Sequence, residues 1–508
     1  MNKYLIITPS HFYKLNKNPL WIWYDLFGDQ SKKDSLSEFA LKNIEDGNLH
    51  EKEYISKVQV AEIRETDPTK GVEETLSLMR KGAPLIYQGW LEKRIDNVIY
   101  RGRPDLLEKR PGKSIFGDWI YTPIDIKSSS TVKATHEQQL AFYSMILHSI
   151  QGHFPYKTAV VNRNFETIEV ILDEKILQRT QRDIDEILSI MRGKKPPTHI
   201  SGSAKETPWY SECLREAENL RDISLIYKIR KDTAEALRNH GIDTLEKLAL
   251  QDINALPKIP GATIDTLKKA KIQAQSLVEQ KPIFIGAPEP IQETDLKLYF
   301  DIEGVKSLGV EYLFGFWVVG DPERNYARDG EVVWSQKDKG KYFLYFLAEA
   351  PESESIMWNK FLNWLQCLPI DYKVYHYAKY EKETLTKLSK KYKGSENLSR
   401  FQEKLVDLEK NVAKSVVFPL YFYSLKDIAK SPFINFNWRH EKAGGSQSIF
   451  WYEQWLEAKD QLILQDIIDY NEDDVRATEC LHIWMNKARL FPRAHHGWSL
   501  VSYRKCWD

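Results

Sequence analysis

Two stretches rich in proline and glycine divide this 508-residue chain into three segments with different hydrophobic patterns. The first stretch spans residues 194–208 and the second spans residues 281–295. Residues 1–208 and 295–508 each mix β-rich runs with helical periods, whereas residues 213–282 are helical in period almost throughout. A chain of this length also exceeds one ordinary hydrophobic core. We therefore predict an α/β multidomain protein with a helical module between two α/β domains.

The composition favours packed cores and gives no overall sign of nucleic-acid binding. Hydrophobic residues make up 42% and charged residues 28% of the chain, which excludes wholesale disorder. Lys plus Arg and Asp plus Glu total 72 each, so any phosphate-binding surface must be local. The cysteines are far apart and form no CxxC pair: Cys213, Cys367, Cys480 and Cys506. We expect reduced thiols, with neither a zinc ribbon nor an iron–sulfur cluster.

The beginning of the chain, MNKYLIITPSHFYKL, has a short apolar run and no cleavage site of small residues, so we expect no signal peptide. No stretch approaches the roughly 18 apolar residues of a membrane helix. These patterns predict a cytoplasmic protein without a membrane partner.

The first motif combines two aspartates and a lysine. Asp105 follows a strand-like run in NVIYRGRPDLLEK, and Asp125 and Lys127 lie in YTPIDIKSSS. Residues two apart on a strand point to the same face, so Asp125 and Lys127 should project together, with Asp105 on a neighbouring strand. Such carboxylates can hold Mg²⁺ or Mn²⁺, and the lysine can orient a nucleophile or stabilise developing charge. The alternative is an edge strand with solvated charges.

Further polar residues flank this motif in a fixed order. His50 lies upstream in EDGNLHEKEYI, and Gln139 and Tyr143 lie downstream in HEQQLAFYSMIL, each on an apparent helix. The order GxxH(E), GxxD, DxK and QxxxY resembles the RecB-like branch of the PD-(D/E)XK nucleases, over roughly residues 1–200. Taken alone, each flanking residue could equally be an ordinary helix-surface side chain.

The resemblance implies a restriction-endonuclease-like fold and assigns roles to these residues. His50, Asp105 and Asp125 would be metal ligands, with the Ile126 carbonyl as an additional one. Lys127 would be the catalytic lysine, and Gln139 and Tyr143 would bind the substrate strand or support the site. Many relatives carry a cysteine cluster for a 4Fe–4S centre, whereas here only Cys213 is nearby, so we expect no cluster.

The middle segment resembles tandem helix–hairpin–helix elements in HGIDTLEKLA and LPKIPGATIDTLKKAK. In such elements the backbone N–H groups of a glycine-containing turn receive a phosphate without reading sequence. Gly261 would be the turn glycine, and lysines would supply local positive charge: Lys258, Lys268, Lys269 and Lys271. The alternative is a helical spacer with solvated lysines.

A second set of acids follows the apolar strand LKLYFDIEG, in which Asp301 and Glu303 share a face. Tyr470 and Asp474, four residues apart in DIIDYNEDDVRATEC, share a helix face. This set resembles the tyrosine-containing DEDD exonucleases of the RNase H-like superfamily, over roughly Leu296 to Leu490. The resemblance implies that Asp301, Glu303 and Asp474 bind two metal ions and that the tyrosine positions the attacking water.

The middle motif of this second set departs from the family pattern. Where the family has an aspartate, VYHYAKYEKETL offers Glu381, with His376 on the strand, and Asp407 is a reserve candidate. Glutamate can ligate Mg²⁺, but its extra methylene shifts the carboxylate. A domain that keeps the fold for binding or packing without catalysis is the alternative.

These motifs together predict a metal-dependent nuclease with two active sites that acts on DNA, as an exonuclease on single strands or ends, in repair, recombination or defence. The alternatives are a non-catalytic nucleic-acid-binding scaffold and a second site that cuts RNA. No GxxxxGK[ST] motif is present, so a helicase would have to act as a separate partner.

Overall fold

The computed structural model describes residues 4–35, 38–285, 291, 293–320, 330–334, 340–440 and 444–489. The chain forms two compact units, Met1–Ser224 and Leu225–Asp508. The boundary lies inside residues 213–282, which the sequence predicts as a separate module, and that three-part division stays a prediction. The outer ends of the predicted domains, residues 1–3 and 490–508, lie outside the described residues, as does Cys506.

The first unit is an α/β structure. In chain order its elements are β1 (Leu5–Ile7), α1 (Ser10–Lys17), α2 (Pro19–Phe27), α3 (Glu38–Ile55), β2 (Ala61–Glu62), α4 (Pro68–Lys81), β3 (Leu85–Tyr87), β4 (Leu91–Ile95), β5 (Val98–Gly102), β6 (Leu106–Ser114), β7 (Gly117–Ile126), α5 (Ala134–Gln151), β8 (Lys157–Val161), β9 (Thr167–Ile171), α6 (Glu174–Met191) and α7 (Tyr210–Leu220).

The main sheet of this unit has the order β2-β3-β6-β7-β8-β9, and β1, β5 and β4 form a smaller sheet. Strands β6 and β7 are antiparallel with Leu106 opposite Ile124, which places Asp105 beside the end of β7. The core includes Leu107 and Tyr121 from these strands and Phe142 from α5. The motif residues therefore lie where a packed central strand ends.

The second unit is also α/β. Its elements are α8 (Lys231–Asn239), α9 (Leu245–Leu250), α10 (Ile264–Glu279), β10 (Ile283–Phe284), β11 (Lys297–Val305), β12 (Val310–Val319), β13 (Glu331–Trp334), β14 (Lys341–Leu347), α11 (Glu354–Trp364), β15 (Lys373–His376), α12 (Tyr380–Tyr392), α13 (Glu396–Glu403), β16 (Leu405–Asp407), α14 (Leu408–Ser415), β17 (Val416–Val417), α15 (Leu425–Ala429), α16 (Gly445–Ala458) and α17 (Gln461–Arg489).

The main sheet of the second unit has the order β13-β14-β12-β11-β15-β16. Strand β11 pairs antiparallel with β12 on one side and parallel with β15 on the other. Its apolar residues alternate into a core in which Phe300 stacks on Phe316 with ring centroids 4.4 Å apart. Helix α17 also supplies buried residues, among them Ile467. A long helix thus packs against the strand that carries Asp301 and Glu303.

The helices at the start of the second unit are joined by turns with glycines in the left-handed region, Gly241 at φ 78° and Gly261 at φ 73°. Thr244 and Thr263 cap the helices that follow, each accepting a backbone N–H bond at its hydroxyl. These turns account for the helical pattern of this segment, and its assignment as helix–hairpin–helix stays a prediction.

Among the helices that the structure describes, none combines the length and the apolar character needed to cross a bilayer.

Candidate metal centre

Three carboxylates from two elements meet beside the sheet of the second unit. Asp301 and Glu303 project from β11, and Asp474 comes from α17. Each offers one oxygen, and the three oxygens lie within 4.8 Å of one another. Carboxylate oxygens at this spacing are suitable ligands for Mg²⁺ or Mn²⁺. The arrangement follows from the two-residue spacing along the strand and from the packing of α17.

Each carboxylate of this triad, meaning Asp301, Glu303 and Asp474, accepts a hydrogen bond from at least one neutral side chain. The bonds run from Asn471 Nδ2 to Asp301 Oδ2 at 2.8 Å, from Ser448 Oγ to Glu303 Oε2 at 2.9 Å, and from Trp438 Nε1 to Asp474 Oδ1 at 2.7 Å. Neutral donors orient a carboxylate without neutralising it, so the negative charge stays available to a cation.

The electrostatics of the triad indicate a missing positive charge. Burial raises the pKa of Asp301 and of Glu303 well above the usual range, and negative charge from the other acids adds to the effect. Burial likewise raises the pKa of Asp474 to about 7, although the Trp438 bond and the Lys426 charge oppose the rise. Clustered acids that resist ionisation in this way fit a divalent cation, which would stabilise their ionised forms.

Gly315 gives the amide of Asn471 access to this site. It lies opposite Asp301 in the register of β11 and β12. A Cβ at this position would overlap Asn471 Oδ1. Asn471 is fully buried, and its Oδ1 has no hydrogen-bond donor among the described residues. Glycine is therefore needed here for close approach of the helix to the strand.

Tyr470 lies one helical turn before Asp474 and forms a hydrogen bond with it that lowers the Asp474 pKa. The tyrosine is buried, and burial raises its own pKa far above the usual range. It therefore stays protonated and can donate or accept a hydrogen bond next to the triad.

Glu381, at the start of α12, lies beside the triad but is not one of its three members. It is buried, shares a hydrogen bond with Asp301, and lies with Oε2 3.2 Å from His376 Nδ1. Burial raises the pKa of Glu381 to about 8. Two carboxyl groups can share a hydrogen bond only when one of them carries a proton. The reserve candidate Asp407 caps α14 and forms an ion pair with Lys410 at 3.0 Å. The lysine therefore balances the negative charge of Asp407.

In the first unit, Lys127 bridges the two motif aspartates. Its Nζ lies 3.3 Å from Asp125 Oδ2 and 3.8 Å from Asp105 Oδ2. Asp105 Oδ2 also accepts the backbone N–H of Ile126 at 2.6 Å. Burial raises the pKa of Asp105 to about 7 despite the lysine, with added negative charge from Asp125 and Glu51. The three motif residues thus form one charged cluster, in which Asp125 is buried and Asp105 and Lys127 are partly buried.

The flanking helices contribute Glu51, Tyr143 and His136 to this cluster. Glu51 accepts hydrogen bonds from Tyr87 and Gln88, and its charge reaches Asp105. The negative charges of Asp125 and Asp105 act on Tyr143, whose pKa burial raises. Burial also lowers the pKa of His136 to about 4, with Lys127 adding to the effect, so the imidazole is neutral.

His50 and Gln139 are placed less directly. His50 stacks on Phe165 with ring centroids 4.7 Å apart. Among the described residues, the possible ligand atoms of His50, Asp105 and Asp125 do not form a metal-binding group like the triad of the second unit. The Nε2 of His50 is buried and has no hydrogen-bond partner in the part of the chain that the structure describes. Gln139 is half-buried on α5, one turn before Tyr143. The assigned roles of both residues stay predictions.

The predicted phosphate-binding residues of the helical segment are exposed in part. Lys258 and Lys268 are exposed, while Lys271 donates to the Gln251 carbonyl at 2.8 Å. The side of Gly261 where a Cβ would project faces the carboxylate of Asp232. Arg230 pairs with both oxygens of that carboxylate, whereas at Gly241 no atom of the described residues beyond its chain neighbours lies within 4 Å of the corresponding position.

An acidic cluster on a central strand and a long helix defines a candidate divalent-metal site in an α/β domain. Residues 298–486 match the family model of the RNase H superfamily. A search of curated proteins found no match. The second unit therefore contains an RNase H-like domain, a fold that is typical of metal-dependent nucleases, and the matched range includes the whole triad.

Several residues of this site carry no strong sequence signal. Asn471 lies three residues before Asp474 in YNEDD, which is a usable sequence signal, because helix residues three apart share a face. Ser448 and Trp438 lie in segments without a motif and reach the acids only through the tertiary fold. Glu51 directly follows His50, the predicted metal ligand, but its side chain projects about 100° further around the helix.

Proposed function

We propose that this protein is a metal-dependent nuclease that hydrolyses phosphodiester bonds of DNA at the triad of its RNase H-like domain. The observation that carries the proposal is the meeting of Asp301, Glu303 and Asp474 oxygens within 4.8 Å. The neutral donors on each acid support it, because they orient the carboxylates while leaving their charge for a cation.

Different residues of this chain would bind the metal, orient the attacking water and position the metal ligands. Asp301, Glu303 and Asp474 would hold Mg²⁺ or Mn²⁺. Such ions supply an activated water and stabilise the charge that develops on the phosphate. Tyr470 would orient the attacking water through its protonated hydroxyl, and Glu381 would support Asp301 through the hydrogen bond that they share. Trp438 would keep Asp474 in place.

The action on DNA ends or single strands follows from the resemblance to DEDD exonucleases and remains part of the proposal. The hairpin segment with Gly241 and Gly261 would bind backbone phosphates, and a separate helicase would supply single strands. Repair, recombination and defence are the pathways in which such an activity would serve. RNA is the alternative substrate.

We propose a second, RecB-like active site in the first unit. Asp105 and Asp125 would bind the metal ion, and Lys127 would stabilise the developing charge once that ion takes over the carboxylates. Glu51 is better placed than His50 to complete the ligand set, since its charge acts directly on Asp105. Tyr143 and Gln139 would line the substrate strand.

The test is cleavage of end-labelled DNA and RNA, single- and double-stranded, with Mg²⁺ or Mn²⁺. Asp301→Asn and Lys127→Ala are assayed separately. Glu457→Gln on α16 and Lys113→Ala on β6 serve as controls, because both residues are exposed. We expect Asp301→Asn and Lys127→Ala each to lose cleavage of at least one of these substrates. Both control variants should cleave every substrate that the wild type cleaves.

The outcomes separate the alternatives. A wild-type protein that binds nucleic acid and cleaves nothing would make it a non-catalytic scaffold. Loss of RNA cleavage alone in Asp301→Asn would show that the RNase H-like site acts on RNA. If Lys127→Ala loses all cleavage while Asp301→Asn keeps it, the triad is not a catalytic site.

A further inference from the structure

Lys426, on the short helix α15, holds its charged group in an unusual place. Lysine side chains ordinarily bury their methylene stem and leave the ammonium in water. Here the residue as a whole is only half-buried, yet Nζ is buried and has no hydrogen-bond partner among the described residues. The ammonium therefore turns inward, away from solvent.

The surroundings of Nζ belong to the candidate metal centre. It lies 5.3 Å from the ring centroid of Tyr470 and 5.4 Å from that of Trp438. Both residues hydrogen-bond to the carboxylate of Asp474. The charged groups that act on Lys426 include Asp474, Lys430, Asp473 and Asp427. Lys426 thus places a positive charge next to Asp474 of the triad.

The two aromatic rings compensate this charge only in part. A cation is attracted by an aromatic face, but a ring accepts no conventional hydrogen bond, and an ammonium has three to donate. Asp473 is already engaged by Arg439 through both its carboxylate oxygens. A buried ammonium without an acceptor is unfavourable unless an anion arrives to accept its hydrogen bonds.

We propose that Lys426 contacts the phosphate group that the triad cleaves and is a further catalytic residue of this site. The inference rests on the proposed nuclease function. A phosphate bound by the triad's metal ions would lie beside Asp474 and Tyr470, within reach of the flexible lysine stem. The ammonium would donate to a non-bridging phosphate oxygen and keep its own protons.

The role fits the charge changes of hydrolysis. The water oxygen forms a bond to phosphorus and gives up a proton to solvent, while the phosphorus–oxygen ester bond breaks and the leaving oxygen takes up a proton from solvent. Negative charge on the non-bridging oxygens is partly neutralised by a fixed cation. A lysine acts here as a point charge, so arginine can replace it only in part.

The experiment compares Lys426→Met and Lys426→Arg with the control Lys390→Met. Lys390 is exposed on α12, nine residues beyond Glu381, and so about 13 Å further along the helix. Cleavage is measured as kcat and KM in a Lys127→Ala background. Binding of a fluorescent single-stranded oligodeoxynucleotide is measured over a salt series in an Asp301→Asn background.

We expect Lys426→Met to lower kcat/KM by at least tenfold and to weaken oligonucleotide binding. The slope of log affinity against log salt should fall by about 0.7, the value for one lost phosphate contact on a single strand. Lys426→Arg should restore much of the binding, and Lys390→Met should resemble the parent. If Lys426→Met does not fold, Lys426→Arg and Lys426→Gln provide the same comparison.

A structural role predicts something different. If Lys426 only balances the charge of Asp474, Lys426→Met would change the Mn²⁺ concentration needed for thermal stabilisation and leave the salt slope unchanged, which would overturn the assignment. Unchanged kcat/KM in an active enzyme would overturn it as well, while leaving the nuclease function intact. A wild type that neither binds nor cleaves nucleic acid would overturn both.

Discussion

Asn471 Nδ2 donates a hydrogen bond to Asp301 Oδ2 at 2.8 Å, across the interface between α17 and β11. The amide fits because Gly315, the cross-strand neighbour of Asp301, has no side chain. The bond joins the helix that carries Asp474 to the strand that carries the other two acids. The geometry of the triad thus depends on a residue that is not itself an acid.

Asn471→Ala should lower the cleavage rate by about 10- to 100-fold, the usual cost of losing a residue that orients a metal ligand. Gly315→Ala should destabilise the protein by about 1–3 kcal/mol, because the added methyl group overlaps the buried amide. Kinetics and chemical denaturation measure these two effects.

The double variant Gly315→Ala/Asn471→Ala separates positioning from folding. It should regain stability relative to Gly315→Ala, since the overlap is relieved, while activity stays as low as in Asn471→Ala. Recovery of activity together with stability would mean that Asn471 only fills space.

The stability of the metal-free protein should fall as pH rises from about 4 to about 8. Asp474 and Glu381 have pKa values of about 7 and about 8 in the folded protein, whereas unfolded carboxyls titrate near 4. Because the folded state binds these protons more tightly, raising the pH through this window favours unfolding.

Mn²⁺ should reverse this trend, because it stabilises the ionised carboxylates. The increase in Tm produced by Mn²⁺ should therefore be larger at about pH 8 than at about pH 6, as measured by thermal unfolding at fixed metal concentration. An increase that is the same at both pH values would contradict proton–metal competition at the triad. Asp301→Asn provides the control with a weakened site.

Trp438→Phe should shift the acidic limb of the pH–rate profile to higher pH. The indole N–H bond to Asp474 lowers the pKa of that carboxyl, so its removal makes the acid harder to ionise. Metal affinity should fall by about tenfold. Trp455→Phe, which changes a buried tryptophan whose Nε1 has no bonding partner among the described residues, is the matched control. Equal pH profiles for the two variants would argue against this role.

Lys127→Ala should loosen the strands of the first unit when no metal is present. Removing the cation of a charge cluster that includes the buried Asp125 costs about 3 kcal/mol, because Asp105 and Asp125 then face each other without a positive charge. Hydrogen exchange of β6 and β7, followed by mass spectrometry, should be faster and should slow again with Mn²⁺. If Mn²⁺ has no effect on this exchange, the two aspartates do not bind metal.

Short-range periodicity predicted much of what the structure brings together. The two-residue spacing of Asp301 and Glu303 on a strand and the four-residue spacing of Tyr470 and Asp474 on a helix both depend on local geometry alone. The RNase H-like domain also follows from these local patterns, and the family match supports it. The RecB-like fold of the first unit stays a prediction.

The remaining site residues depend on contacts between distant elements. Ser448 lies 145 residues from Glu303 in the chain, and Trp438 reaches Asp474 from a loop without a motif. The sequence alone predicts Lys426 to be an ordinary helix-surface lysine. Its inward position is evident only from the rings of Trp438 and Tyr470 in the folded structure. Which of the neighbours His50 and Glu51 faces Asp105 is likewise decided by the rotation of α3, which the residue pattern leaves open.

We propose that the triad in the RNase H-like domain is a nuclease site that acts independently of the first unit's charged cluster. The most direct measurement compares Mn²⁺-dependent cleavage of end-labelled single-stranded DNA by Lys127→Ala and by Lys127→Ala/Asp301→Asn. We expect cleavage by the single variant and a loss of at least 100-fold in the double variant, with both proteins folded. Equal cleavage by the two, or none by the single variant, would contradict the account.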